Sequence, residues 1–66
     1  MIVKINGRIE EIAKKLNMGE LLAAKGLKPE RVVIEHNHRI IPKDQLQAVV
    51  LNDNDNVEIV SFVGGG

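Results

Sequence analysis

The closing stretch Val57-Glu58-Ile59-Val60-Ser61-Phe62-Val63-Gly64-Gly65-Gly66 limits the fold more than any other part of the chain. Val57 and Ile59 fall on one face and Val60 and Phe62 on the other, the two-residue period of a pleated strand. The glycines add nothing to that strand, because glycine loses the most backbone entropy on ordering and has no side chain to pack. Residues 64–66 are therefore expected to form a thin, flexible arm beyond a folded body of residues 1–63. Such an arm carries the terminal carboxylate outward and can enter a slot that a Cβ atom would block.

Composition narrows the function classes. A chain of 66 residues makes one small domain that buries about 60% of its unfolded surface, which leaves no room for a large internal cavity. Cysteine is absent, so disulfides, thiolate nucleophiles and Cys-type metal sites are excluded. Nine basic and nine acidic residues cancel without forming a block of either sign, against the basic excess of a nucleic-acid surface. No apolar run approaches the ~20 residues that span a bilayer, and the amino terminus has no signal-peptide pattern. A cytoplasmic location, with neither membrane nor nucleic acid as partner, is expected.

Met1, Val3 and Ile5 can share one face of a first strand, and Asn6-Gly7 is the strongest short hairpin signal, since both residues tolerate the positive φ of a type I′ turn. Arg8 to Ile12 is the return strand, with Ile12 inward. Asn17 and Glu20 have the spacing of a capping box, and Leu16 and Leu21 that of a hydrophobic staple, so a helix is predicted from Met18 to Lys25. Met18, Leu21 and Leu22 face the sheet. Gly26 fits the left-handed position after the helix, and Pro29 stops its continuation. A strand from Arg31 to Glu35 or His36, a turn at Asn37-His38 and a short edge strand from Arg39 to Ile41 follow, the last cut off by Pro42. Lys43 to Val49 holds a helical turn with Leu46 and Val49 inward, and the Asx-rich segment 52–56 turns the chain into its final strand, with Asn54 left-handed.

Chemistry-bearing side chains are sparse. The Asx segment lacks the twelve-residue loop and terminal Glu of a calcium site and is expected to bond to itself. His36 and His38 are two apart and can project from one strand face, but two imidazoles without a third ligand make a poor zinc site, and a surface role is expected for both. Ser61 has no base or orienting acid beside it in the sequence. No catalytic and no metal-binding residues are assigned.

The element order implies an α+β fold in which a mixed sheet packs on one main helix. The last strand enters parallel to the first, with the helix as crossover, which is the β-grasp arrangement. The chain resembles the ThiS-type sulfur carriers of thiamine biosynthesis, within the ubiquitin-like superfamily. The resemblance spans essentially the whole chain. It is carried by Ile5-Asn6-Gly7, Glu20-Leu21-Leu22, Gly26-Leu27-Lys28-Pro29-Glu30-Arg31-Val32, Ile41-Pro42 and Val57-Glu58-Ile59-Val60 leading to Phe62-Val63-Gly64-Gly65-Gly66. Two turns depart from the common pattern: Asp53-Asn54-Asp55 stands for Asp-Gly-Asp, and Asn37-His38 for Asn-Gly.

The resemblance implies that an E1-like, ThiF-type adenylyltransferase uses ATP and magnesium to adenylate the carboxylate of Gly66. Sulfur from a cysteine-derived persulfide then makes the thiocarboxylate, which is presented to a ThiG-type thiazole synthase. The carrier is a cosubstrate rather than an enzyme and binds no cofactor of its own. A free terminal carboxylate has a pKa of about 3.5 and is ionised at neutral pH, so activation must precede attack by sulfur. Gly64 and Gly65 give the tail access to the partner. Val60 and Phe62 are expected to dock the body, the opposite expectation being that Phe62 packs in the domain's own core. A molybdopterin-synthase small-subunit-like carrier and a non-carrier β-grasp interaction module are the alternatives.

Overall fold

The computed structural model describes residues 1–62. Strand β1 (Ile2–Ile5) turns through Asn6 and Gly7, with φ of 51° and 80°, into β2 (Arg8–Glu11). These are the positive angles of a type I′ turn, and Ile5 pairs directly with Arg8. Val3 and Ile5 are buried, while Ile9 is 70% exposed because it lies on the outer face opposite Lys4. Ile12, just past the strand, donates its N–H to the Met1 carbonyl and packs against the core.

Helix α1 (Met18–Ala24) begins as its capping spacing requires. The Asn17 side chain accepts the Glu20 N–H at 2.8 Å, and the Glu20 carboxylate accepts the Asn17 N–H at 2.8 Å, so two of the orphan donors are satisfied. Lys25 is the C-cap rather than a helical residue. Gly26 (φ 70°) donates to Ala23 and Leu27 to Leu22, the paired bonds of a Schellman ending. Pro29 opens a 3-10 turn, Pro29–Arg31, so strand β3 (Val32–His36) begins one residue later than the expected Arg31. The Arg31 carbonyl in that turn accepts the Phe62 N–H.

Asn37 and His38, at φ 51° and 72°, form a second two-residue turn and deliver β4 (Arg39–Ile40). A 3-10 segment, Lys43–Ala48, lowers Leu46 into the core, and the chain then returns along the helix start. There Met18 donates to Val49, and Leu51 to Leu16. Strand β5 (Asn56–Ser61) enters last. The sheet order is β2-β1-β5-β3-β4, with β5 parallel to β1 and antiparallel to β3. This is the mixed sheet and single main helix of the β-grasp. Its core lies between helix and sheet and is built from Val3, Ile5, Met18, Leu21, Leu22, Ile34, Leu46, Leu51, Val57 and Ile59.

Candidate functional site

The features that bear on function gather along β5, which lies at the centre of the sheet with its two ends held differently. Val57 and Ile59 face the helix and are buried, so alternation turns Glu58, Val60 and Phe62 to the outer face. Val60 is 58% exposed and Phe62 47%, which rules out the reading of Phe62 as a core residue. Val33, opposite Val60, extends the apolar patch onto β3. The patch is thus a product of register between two strands, with the chain's one phenylalanine at the end nearest the glycines.

Backbone bonds bring β5 to a defined exit. On one side Phe62 donates its N–H to the Arg31 carbonyl at 3.0 Å. On the other, β1 has already ended, and the Asn6 carboxamide takes the place of a strand. Its Oδ1 accepts the Ile59 N–H at 2.7 Å and its Nδ2 donates to the Ile59 carbonyl at 3.1 Å. Gly64, Gly65 and Gly66 lie outside the described residues, as does Val63.

At the other end of β5, the Asx turn does not bond only to itself, the sequence expectation, but is tied to β1, β3 and the Asn37-His38 turn. Asp55 is buried, and its Oδ2 meets His36 Nε2 at 2.7 Å and the Asn52 N–H at 2.8 Å, while Oδ1 accepts from Asn37 Nδ2 at 3.1 Å. Asp53 accepts the Ile2 N–H at 2.7 Å. Burial raises the Asp55 carboxyl's pKa, but the hydrogen bonds from His36, Asn52 and Asn37, with the His36 charge, outweigh it and hold the group below its ordinary value of 3.8. His36 is half-buried in this network and His38 sits in the turn, so the two imidazoles share no strand face and His36 is not a free surface group.

Among the described residues no three His, Asp or Glu side chains converge on a metal site, and no side chain hydrogen-bonds the Ser61 hydroxyl. Sequence reading missed the His36–Asp55 pair because its partners are far apart in the chain and meet only through the β3–β5 register.

The description of the ThiS family matches residues 3–66. The chain belongs to the ThiS family. The sulfur carrier protein ThiS of Bacillus subtilis is 38% identical over 68 residues, covering 98% of this chain and 100% of that protein. The crystal structure of the thiamine biosynthesis protein ThiS from Geobacter metallireducens aligns over 100% of both chains, with a TM-score of 0.85 at 33% identity. Thiazole synthase of Paramagnetospirillum magneticum is 36% identical over 66 residues, all of this chain but 20% of that protein. This ThiS-family chain thus spans about a fifth of the length of the thiazole synthases it matches. In the ThiS-family sequence, exposed Val60 on β5 and Phe62 just past it precede the glycine end by a few residues.

Proposed function

We propose that this chain is a cytoplasmic sulfur carrier of thiamine biosynthesis whose reacting group is the carboxylate of Gly66. The observation that carries the reading is the match of the whole chain to one fifth of a thiazole synthase, beside its full-length likeness to a sulfur carrier. That pairing favours thiazole synthase over molybdopterin chemistry as the destination of the sulfur. Among the described residues, no helix is long and apolar enough to cross a membrane.

In the proposed sequence, the Gly66 carboxylate attacks the α-phosphorus of ATP on a ThiF-type enzyme and pyrophosphate leaves. The terminal sulfur of a persulfide then attacks the acyl carbon and AMP departs. A thiol then attacks the donor-bearing sulfur of the resulting acyl disulfide, forming a new disulfide with the donor as the acyl S–S bond breaks, and the thiocarboxylate departs for a ThiG-type thiazole synthase. This chain has no cysteine, so both sulfur species come from other molecules. Residues 1–63 serve as the body that is gripped, with Val60 and Phe62 as its apolar contact, and residues 64–66 as the arm. An apolar patch beside a narrow arm lets a partner hold the one while threading the other, which supplies the proximity that activation needs.

The test incubates the protein with ATP, magnesium, a ThiF-type enzyme and a persulfide donor, followed by intact mass and fragmentation. Exchange of one oxygen for sulfur confined to Gly66 is expected. Label on an internal residue, or no exchange, refutes the reading.

A further inference from the structure

The strand end from which the glycine tail departs is ringed by cations. On one side of Ser61 lies a hollow lined by Arg8, Glu10 and Lys25, and on the other a hollow lined by Lys28, Arg31 and Phe62. Lys25 is already matched, its Nζ standing 2.9 Å from both carboxylate oxygens of Glu10. Arg8, Lys28 and Arg31 are exposed and form no ion pair among the described residues. Glu30 shares the turn with Arg31 but lines neither hollow. The chain's net charge is zero, so this is a local asymmetry: Asp53 and Asp55 stand at the opposite end of β5.

The arrangement is continuous with the apolar patch. Arg31 lies across from Phe62, joined by the Phe62 N–H to Arg31 carbonyl bond, so residues opposite one another put a cation beside the exposed ring. An apolar anchor with charged groups at its margin is the anatomy of a protein–protein contact, in which the margin steers encounter and sets orientation. Gly66 is four residue steps beyond Phe62, so a tail drawn straight into a partner would put its carboxylate about 14 Å farther on, beyond a Lys or Arg anchored at the root. The cations therefore act on the partner's surface rather than on nucleotide phosphates at the reacting carboxylate.

We infer that Arg8, Lys28 and Arg31 engage a rim of Asp and Glu side chains around the mouth of the channel in the activating enzyme that receives the tail. The inference rests on the carrier reading above. Its effect is on capture of the carrier: opposite charges raise the encounter rate and turn the tail toward the opening, while the chemistry at Gly66 proceeds unaided by them.

The experiment measures adenylation kinetics with the carrier as varied substrate, at low and at raised ionic strength, for the parent, for Lys28→Glu with Arg31→Glu, and for Arg8→Glu. For the parent, KM should rise with salt. The double reversal should raise KM by at least ~10-fold at low salt, leave kcat within about twofold, and weaken or invert the salt dependence. A parent KM indifferent to salt overturns the inference without any variant. So does an unchanged KM in the double variant with its melting curve intact, or retention of the parent on duplex DNA that the double reversal abolishes. A parent that is not adenylated at all overturns the carrier reading, and this inference with it.

Discussion

His36 Nε2 lies 2.7 Å from Asp55 Oδ2, tying the end of β3 to the turn that opens β5. Asp55 is 7% exposed and holds three partners at once, so it fixes where the central strand enters the sheet. Asp55→Ala should cost about 2–4 kcal/mol, since it leaves the Asn52 N–H, the Asn37 amide and the His36 ring without their acceptor. The carboxyl's folded pKa is depressed, so its stabilisation is present above the unfolded value near 3.8 and is lost as pH falls through the lower folded value. Urea melts of the parent should weaken across that acid window, and Asp55→Asn should flatten this part of the fall. Identical acid limbs in the two proteins would refute the assignment.

His38 adopts φ 72°, a region in which a Cβ is disfavoured. His38→Gly keeps the two-residue turn and removes that strain, against a larger entropy loss on folding. A net gain of about 0.5–1 kcal/mol in unfolding free energy is expected. A loss of stability would mean that the imidazole contributes more than its backbone strain costs.

Leu21 is 2% exposed and Leu16 only partly buried, so the two ends of the predicted staple are unequal. Leu21→Ala should destabilise by about 3–4 kcal/mol through the cavity it leaves, and Leu16→Ala by about 1–2 kcal/mol. Denaturant midpoints at constant m-value provide the comparison. Equal losses would place Leu16 deeper in the core than its exposure indicates.

Val60→Ala and Phe62→Ala remove apolar surface that faces solvent, so each should shift the melt by less than about 1 kcal/mol while weakening binding to the activating enzyme. Calorimetric titration with that enzyme reads the second effect. Unchanged affinity for Phe62→Ala would remove the patch from the contact.

Deleting Gly66 moves the terminal carboxylate back by one residue, about 3.5 Å, and adding a residue moves it forward by as much. A misplacement of even ~1 Å can cost about a hundredfold in rate, so both forms should lose thiocarboxylate formation. Thermal melts should remain superimposable on the parent. Full sulfur transfer by either form would show that register at the tail's end is unimportant.

Local features of this chain were legible because neighbouring residues decide them. Asn6-Gly7 carries its turn in its own φ preferences, and Asn17 and Glu20 satisfy each other's backbone within one helical turn. Gly26 closes the helix because a left-handed residue frees its N–H, and that of Leu27, to meet the last carbonyls. The alternation from Val57 to Phe62 separates a buried face from an exposed one by pleat geometry alone. The same sequence also bears the family's glycine end.

Tertiary structure decided what depends on register between distant segments. The sequence assigns His36 no partner, because Asp55 is nineteen positions away and reaches it only when β3 lies antiparallel to β5. Leu51 becomes fully buried because its N–H bonds to the Leu16 carbonyl at the helix start, a pairing that no periodicity in the Val49-Val50-Leu51 run reveals. The Asn6 carboxamide serves as a substitute strand for Ile59 only because β1 stops where β5 continues. The cation cluster has the same origin: Arg8 opens β2, Lys28 and Arg31 belong to the single 3-10 turn before β3, and strand order carries both groups to the end of β5. Pattern along a chain sets which face a residue takes, whereas hydrogen-bond register across the sheet sets which residue it meets.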